Sequence, residues 1–263
     1  MPLILYTTED VAGANAARVL KENHEFQQDE DLQIKDKIFK TWSDHELQLI
    51  ELNTRLAFDS NWLNNYFTSD LLIFASRHRS ETGKPCLTTH STGDWTHGEL
   101  SATSAFAIKT AFSFLKQNVL EGFDVSLEAT HHQPFNLNAP SLFIEVGSSE
   151  NEWRNERACA LLAECVVETA KNYLNANGKI AIGMGAGHYC QSFNELEAND
   201  YAFSFITPKH SLDFVTVDLV KQEIAKTREG VESAAIDWKG CGGEQRKRVI
   251  QACEQAGLRW EKV

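Results

Sequence analysis

Four histidines stand shortly after apolar runs of strand length in this 263-residue chain: His78, His131, His132 and His188. In an open sheet of parallel strands, ligands bind in the crevice beyond the carboxyl ends of the strands. We therefore expect these side chains to share one cleft. Imidazoles in such a cleft bind metals or act as general acids and bases near neutral pH. Because neighbouring residues of an extended chain point to opposite sides, one of His131 and His132 is expected to pack against or orient the other.

Carboxylates near these histidines complete a candidate zinc site. Glu145 lies in a further apolar run, and His90 lies with Asp94 in a polar segment that is expected to be a long loop over the cleft. Catalytic zinc sites use three His or carboxylate ligands and leave one position open. No His-x-x-x-His pair is present, so the ligands must come from several segments. The candidate ligands are His78, His90, His131, His132, Glu145 and His188.

Glycines and serines follow two of the apolar runs. Residues 183–187 carry glycine at every second position, as in a dinucleotide-binding fingerprint, but His188 stands where a glycine is required and no helix is expected to follow at once. We therefore reject a dinucleotide site. The glycines either let backbone amides approach a ligand or form an ordinary tight turn. Ser148 and Ser149 precede a helix, where an anion site and ordinary capping both fit. Neither lies in a Gly-x-Ser-x-Gly elbow, which argues against a serine-hydrolase triad.

Basic residues flank the expected cleft although the chain is acidic overall. Lys and Arg total 25 against 37 Asp and Glu, a net charge of −12, which argues against broad, non-specific affinity for nucleic acids. Two basic clusters are present: Arg77, Arg79 and Lys84, and Lys239 with residues 246–248. Such clusters are usually solvated faces, yet they are the places where a phosphate backbone can dock.

The elements that carry these residues alternate between apolar runs of strand length and longer amphipathic stretches. This pattern predicts an α/β domain with a mixed, largely parallel sheet. The expected strands are 3–6, 47–52, 71–75, 125–129, 142–146, 179–183, 202–206 and 214–217, with 24–37 as a loop or insertion. The expected helices are 12–21, 96–115, 149–173 and 243–256. Capping boxes at 96–99 and 149–152 open the second and the third of them. Without a repeat or linker, residues 1–263 are predicted to form one domain.

The composition is that of a globular protein. Hydrophobic residues make up 42% and charged residues 24%, which excludes disordered and fibrous classes. No stretch reaches the roughly 20 apolar residues that span a bilayer, and no basic region precedes the apolar run at the N-terminus. Six scattered cysteines without a Cys-x-x-Cys pair argue against a disulfide framework and a thiolate zinc site. We therefore expect a soluble, cytoplasmic protein.

Taken in order, these motifs resemble the archaeal- and plant-type D-aminoacyl-tRNA deacylases, the second of the unrelated deacylase families. The matching blocks span nearly the whole chain: 3–5 with 10–15, 76–85 with 87–88 and His90, 129–132 with Pro134, 143–149 with 152–153, and 183–189. The Ser-Arg-His-Arg-Ser block at 76–80 and the Thr-His-His block at 130–132 are the specific ones. The chain departs from the pattern at Gln133, where a small residue is expected, and at Asp94 and Gln191.

The resemblance implies a three-layer α/β/α sandwich of the phosphorylase/hydrolase type, similar to that of peptidyl-tRNA hydrolase. It also implies zinc dependence and hydrolysis of the ester that joins a D-amino acid to the 3′ adenosine of tRNA, in quality control of translation. Zinc suits this reaction because it lowers the pKa of a bound water to about 7 and polarises a carbonyl. A pocket wall that clashes with the L side chain would select the D enantiomer.

Within the cleft we predict catalytic roles for His78, His132, His188 and Glu145. The predicted contacts to the substrate are Ser76, Arg77, Arg79, Lys84, Thr130, Ser148, Gly185 and Gly187. The predicted partner is D-aminoacyl-tRNA, bound by a monomer, with no DNA or membrane partner. The alternatives are a zinc-dependent peptidase or amidohydrolase on a small substrate, and a non-enzymatic tRNA-binding module whose histidines are structural. The alternative to zinc is water activated by an imidazole, with the ribose 2′-hydroxyl assisting.

Overall fold

The computed structural model describes residues 1–263, which alternate between strands and helices along the chain. The strands are β1 (Leu3–Thr7), β2 (Gln27–Gln28), β3 (Leu32–Ile34), β4 (Lys37–Phe39), β5 (Thr41–Ser43), β6 (Gln48–Leu52), β7 (Leu72–Arg77), β8 (Cys86–His90), β9 (Gly93–Asp94), β10 (Glu99–Leu100), β11 (Asp124–Leu127), β12 (Ser141–Gly147), β13 (Lys179–Ala186), β14 (Tyr201–Pro208), β15 (Ser233–Ile236) and β16 (Arg259–Lys262). The α-helices are α1 (Val11–Asn23), α2 (Ala105–Gln117), α3 (Glu150–Trp153), α4 (Glu156–Asn172), α5 (Gln191–Ala198), α6 (Val217–Lys226) and α7 (Gly243–Gln255). Short 3-10 helices occupy Asn61–Asn65, Tyr173–Asn175 and Lys209–Phe214.

The larger sheet has eight strands in the order β11-β8-β12-β7-β1-β6-β5-β2 and is mixed, as predicted. Strands β12, β7, β1 and β6 are parallel and almost fully buried, which is why they read as continuous apolar runs. Strand β8 is antiparallel to β12 and parallel to β11, so β8 and β11 run in the opposite direction. The end of β8 therefore lies beside the first half of β12, where His90 is paired with Phe143.

Helices cover only one face of this larger sheet. Helices α1, α2 and α4 pack there against side chains such as Ile73 and Ile144. The opposite face, which carries Phe74 and Phe143, is covered by the β3–β4 hairpin, irregular chain and one 3-10 helix, through residues such as Phe39 and Leu63. A three-layer sandwich has a second layer of helices at this position, and this sheet does not.

The smaller sheet is entirely parallel, in the order β14-β13-β15-β16. Helices α2 and α5 pack on one of its faces, and α6 and α7 cover the other through residues such as Leu219 and Val249. Helix α2 contacts both sheets, and the largest hydrophobic cluster accordingly contains residues of both, for example Ile144 and Phe203. The two sheets thus share one continuous core.

The predicted start of the second helix is wrong. Glu99–Leu100 forms strand β10, paired with β9, and α2 begins only at Ala105. Its cap is Ser104, whose hydroxyl accepts a hydrogen bond from the Ala107 amide at 3.1 Å. The Thr-x-x-Glu spacing at 96–99 has the composition of a capping box, but Glu99 lies in a strand. The real N-cap, Ser104, therefore lies eight residues after the predicted cap, Thr96.

Two further assignments differ at element ends. The capping box of Ser149 with Glu152 is confirmed, but the helix that it opens ends at Trp153, and Asn155 caps a separate helix, α4. Residues 214–217 were expected to be a strand; they instead end a 3-10 helix and begin α6, with Thr216 as the N-cap. In both places a side-chain cap accepts a hydrogen bond from a free amide at the start of a helix. A hydropathy pattern does not show where such a cap lies.

Several elements have too weak a pattern to be predicted. Strand β8 contains consecutive threonines, β15 is largely alanine, and β16 is mostly exposed and polar. Helix α5 follows His188 after only a short turn, contrary to expectation. Their placement comes from pairing and packing with distant segments, so local residue type does not report it.

All six cysteines are buried and unpaired, in agreement with the predicted absence of a disulfide framework. Among the helices, none combines the length and apolar character that crossing a bilayer requires.

Candidate active site

A cluster of five histidines and two glutamates lies on the face of the larger sheet that carries no helices. This histidine cluster consists of His78, His90, Glu128, His131, His132, Glu145 and His188. The rings are contiguous, with centroids 4.4 Å apart for His90 and His131 and 5.0 Å apart for His131 and His188. A cleft of about 650 Å³ opens onto the cluster. The structure therefore brings together, in one cleft, the four histidines singled out from their positions after apolar runs.

His78 is held at the end of β7 by contacts on both sides of the chain. Its amide donates to the Val146 carbonyl at 2.9 Å, and its own carbonyl accepts from the Trp153 indole at 2.9 Å. The Nε2 atom lies 3.0 Å from the Tyr189 hydroxyl. Nδ1 points the other way, 3.0 Å from a Glu128 oxygen. The ring is thus fixed with one nitrogen facing a carboxylate.

His90 does not lie in a loop over the cleft, as its polar surroundings suggested. It is the last residue of β8, is only 1% exposed, and stacks on Phe143 with ring centroids 5.5 Å apart. Its Nδ1 lies 2.9 Å from the Ser91 carbonyl, and its Nε2 lies 3.7 Å from Glu145. The register of β8 on β12 pairs His90 with Phe143 and so buries the imidazole beneath the cleft.

His131 and His132 both belong to the cluster, although an extended chain would have separated them. His132 has a φ of 43°, in the left-handed region that non-glycine residues seldom adopt. This turn brings the ring centroids of His131 and His132 to within 4.4 Å of each other. The Nδ1 atoms lie 2.8 Å from the Ala129 carbonyl and 2.7 Å from the Gln133 carbonyl, respectively. Strained backbone of this kind is often retained where function requires a particular side-chain placement.

Glu128 is the central residue that sequence reasoning missed. It is 2% exposed, and its carboxylate lies 3.0 Å from His78 Nδ1, 3.0 Å from His188 Nε2 and 3.6 Å from His131 Nε2. A signal was present: an acidic residue follows the apolar strand β11 directly and precedes His131 by three residues. Burying a carboxylate is costly unless it is paired or binds a metal, so such a residue at a strand end is a candidate ligand.

The imidazole tautomers suit a metal. His90, His131 and His132 each place Nδ1 beside a main-chain carbonyl, so the proton belongs on Nδ1 and the lone pair on Nε2. This is how metal-binding histidines are usually oriented. The buried Nε2 of His90 and both Glu128 oxygens lack an aligned hydrogen-bond partner. Three donor sets have ligand atoms within 4.8 Å: His90, His131 and His132; His78, Glu128 and His188; His90, Glu128 and Glu145.

The electrostatics of the site also favour a bound cation. Burial opposes ionisation of the two carboxylates, yet the surrounding imidazoles lower the pKa of Glu145 to about 2 and that of Glu128 well below its usual value. Burial likewise opposes the charge on His78, but Glu128 and Glu145 raise its pKa to about 12. Burial and the neighbouring His90 lower the pKa of His132 to about 4. The charge on His78 therefore offsets part of the charge of the two buried carboxylates. A metal ion held by the cluster would supply positive charge there in its place and leave the imidazole neutral, as a ligand must be.

Three of the predicted substrate contacts line the cleft. The Ser76 hydroxyl donates to Asp10 at 3.0 Å, and the Arg77 amide donates to the same carboxylate oxygen at 2.9 Å. The Arg77 guanidinium lies over the Trp153 ring, 5.1 Å from its centroid. Arg77 and Arg79 both border the opening, and Arg79 is exposed. Ser76 is thus paired with a carboxylate of the cleft, and the two arginines supply positive charge at its border.

The other predicted substrate contacts do not line the cleft: Lys84, Thr130, Ser148, Gly185 and Gly187. Thr130 is buried, and its hydroxyl bonds to the Ser91 hydroxyl and accepts from the Ile206 amide. Ser148 is buried and donates to the Lys84 carbonyl. The glycine at 185 has a φ of 102° and sits against Cys241, where a Cβ would come within 2.2 Å of the sulfur. Thr130, Ser148 and Gly185 thus make contacts between segments of the fold, Lys84 and Gly187 are exposed outside the cleft, and contact of these five residues with substrate stays a prediction.

Comparisons with known proteins place this chain beside one family. A sequence model described as D-aminoacyl-tRNA deacylase matches residues 65–261. A Pyrococcus abyssi protein named D-aminoacyl-tRNA deacylase is 35% identical over 276 residues, covering 100% of both chains. A Methanocaldococcus jannaschii protein of the same name is 36% identical over 215 residues, covering 74% of this chain and 83% of the relative. A crystal structure of a conserved protein of unknown function has the same fold, with a TM-score of 0.87 at 24% identity over 100% of this chain and 95% of the other.

Proposed function

Because the chain belongs to the D-aminoacyl-tRNA deacylase family, we propose that the histidine cluster is the site at which it hydrolyses D-aminoacyl-tRNA. The enzyme is a hydrolase that releases the D-amino acid from tRNA in quality control of translation. Membership of this family favours the deacylase over the two alternatives, a zinc-dependent peptidase or amidohydrolase and a non-enzymatic tRNA-binding module. The observation that supports the site is the cleft of about 650 Å³, which is lined by five of the seven members of the cluster together with Arg77 and Arg79.

We propose that zinc is the cofactor and that the chain holds it with residues of the histidine cluster. His78, Glu128 and His188 form a His-His-carboxylate set, and His188 is the most exposed of the three, with 43% of its side chain accessible. Three protein ligands with an open position are typical of catalytic zinc. When bound, the metal supplies a Lewis acid for the ester carbonyl and for the attacking water.

The remaining steps belong to side chains of the protein. His132, with Nδ1 held by the Gln133 carbonyl at 2.7 Å, presents Nε2 to accept a proton from the attacking water. The same imidazolium returns the proton to the ribose 3′-oxygen as the ester bond breaks. Arg77 and Arg79 bind the phosphates of the tRNA end and orient the ester above the cluster.

The decisive experiment for this function compares release of tyrosine from D-Tyr-tRNA and L-Tyr-tRNA by the purified protein. We expect rapid release of the D enantiomer and little of the L enantiomer, because a chiral pocket rejects one side-chain direction by steric clash. Equal rates on the two substrates, or no release from either, would contradict the proposal.

Gly147→Ala is expected to lower kcat on D-Tyr-tRNA by roughly 100-fold, the loss that a misplacement of about 1 Å can cause. A Cβ at Gly147 would lie 2.7 Å from His78 Cδ2 and 2.8 Å from His78 Cβ. Neither distance is tolerable, so the imidazole must leave its present position, in which Nδ1 lies 3.0 Å from Glu128. Steady-state kinetics measures the effect, and thermal melting shows whether the variant is folded.

Gly187→Ala is the matched control. It precedes His188 in the chain, yet a Cβ there would meet no atom within 4 Å. We expect it to retain activity close to that of the unaltered protein. If both glycine variants lost activity equally, or neither did, close packing at Gly147 would not be what positions His78.

The localisation, the oligomeric state and the relation to the peptidyl-tRNA hydrolase fold stay predictions. Localisation in the cytoplasm fits an enzyme that acts on aminoacyl-tRNA, and fractionation of cells tests it. Whether the protein is a monomer is tested by light scattering of the purified chain. The relation to the peptidyl-tRNA hydrolase fold is tested by superposing the two structures.

A further inference from the structure

Phe58 is an exposed aromatic residue at the opening of the cleft. Its side chain is 65% accessible, although most large apolar residues of this protein are buried. It lines the same cleft as His78 and His188, and histidines aside it is the only aromatic residue that does so. The Arg55 guanidinium lies 5.6 Å from its ring centroid. A single exposed phenylalanine is unremarkable by itself; beside an active site it is available to a ligand.

The segment that carries Phe58 is tied to the segment that carries His132. The Gln133 amide donates to the Ala57 carbonyl at 3.4 Å, and the Gln133 side-chain oxygen accepts from the Ser60 amide at 2.9 Å. Gln133 is also the residue whose carbonyl lies 2.7 Å from His132 Nδ1. These bonds hold the backbone on both sides of Phe58 in a defined position relative to the catalytic imidazoles, so the ring projects from a fixed point at the border of the cleft.

We propose that Phe58 stacks on the adenine of the terminal adenosine of the tRNA substrate. This rests on the function proposed above, in which the ester is carried by the ribose of that adenosine. The base is attached to the same sugar as the ester, so an ester at the cluster places the base at the border of the cleft. Aromatic side chains bind single-stranded bases by stacking, and a neighbouring arginine strengthens such contacts. The basic border residues Arg77 and Arg79 bind the adjoining phosphates.

The test compares the unaltered protein with Phe58→Leu and Phe58→Tyr on three substrates. These are D-Tyr-tRNA, D-Ala-tRNA and D-tyrosine ethyl ester, which has no nucleoside. For Phe58→Leu we expect KM to rise roughly tenfold on both tRNA substrates, as loss of one stacked base predicts. The value of kcat on those substrates, and kcat/KM on the ethyl ester, should not change. Phe58→Tyr keeps a ring and should keep the original KM.

Phe214→Leu is the matched control, because Phe214 is 44% exposed and does not line the cleft; it should not alter KM on any substrate. Two results would overturn the inference while leaving the proposed function intact. One is an unchanged KM for Phe58→Leu on both tRNA substrates. The other is an effect seen with D-tyrosine but not D-alanine and also present on the ethyl ester, which would mean that the ring binds the amino-acid side chain. Failure of the unaltered protein to hydrolyse D-Tyr-tRNA would overturn the proposed function and this inference with it.

Discussion

Glu128→Gln is expected to lower kcat on D-Tyr-tRNA by on the order of 1000-fold, comparable with the loss of a key electrostatic group in other enzymes, and to remove zinc from the protein. The carboxylate lies 3.0 Å from nitrogen atoms of both His78 and His188. Glutamine preserves the volume but replaces one oxygen with an NH₂ group that cannot ligate a metal. The cluster also loses a buried negative charge, which weakens its hold on any cation.

Elemental analysis of the purified protein, together with kinetics, measures both parts of this prediction. The unaltered protein should contain zinc, lose activity on chelation and regain it when zinc is restored. Glu223→Gln is the matched control, since Glu223 is equally buried but lies on α6, away from the cluster. Normal activity and metal content in Glu128→Gln would refute the assignment. Full activity in a verified metal-free sample would rule out zinc and leave activation of water by an imidazole.

His132→Ala is expected to lower kcat by on the order of 100-fold, the usual contribution of a general base, with little change in KM. Its imidazole lies within the cleft, and its Nδ1 is held by a main-chain carbonyl, so Nε2 is the atom available for proton transfer. An interaction made mainly in the transition state appears in kcat when it is removed. Steady-state kinetics on D-Tyr-tRNA measures the effect.

Arg79→Ala provides the contrast for His132→Ala. Arg79 is exposed at the border of the cleft, where a phosphate contact supports binding. We expect KM to rise and the dependence of binding on salt concentration to become shallower. Arg259→Ala, an exposed arginine on β16, should change neither. If His132→Ala left kcat unchanged while Arg79→Ala abolished it, the assigned roles would be reversed.

The helix-free face of the larger sheet explains how such a cluster can form. A helical layer would fill the space above Phe143 and Glu145 with apolar side chains. Here irregular chain covers Phe74 and Phe143 at one end of that face. The cleft remains open above Glu145, at the other end. The histidines therefore have a buried floor and an open side, which a hydrolytic site needs to admit an ester and water.

The sequence predicted the strand-end histidines because their signal is local. A run of buried apolar residues followed at once by a polar, titratable one marks a strand and its carboxyl end, and this held for His78 and His188. The sheet is mixed, as predicted, but the sequence did not indicate which strands are reversed, and β8 and β11 run antiparallel to β12. His90 therefore enters the site from a strand that was not predicted, and Glu128 from the end of a predicted strand whose direction was not.

The sequence by itself determined the α/β class, the family and most of the histidines at the site, because hydrophobic periodicity and ordered motifs are written along the chain. Only the tertiary structure decided which of those side chains meet. Strand direction and register place Glu128 at the centre of the cluster and place Thr130 and Gly185 in contacts between segments of the fold. The turn at His132 brings its ring beside that of His131. Each of these depends on contacts between segments far apart in sequence, and the energy that selects them is gained only when the whole core assembles.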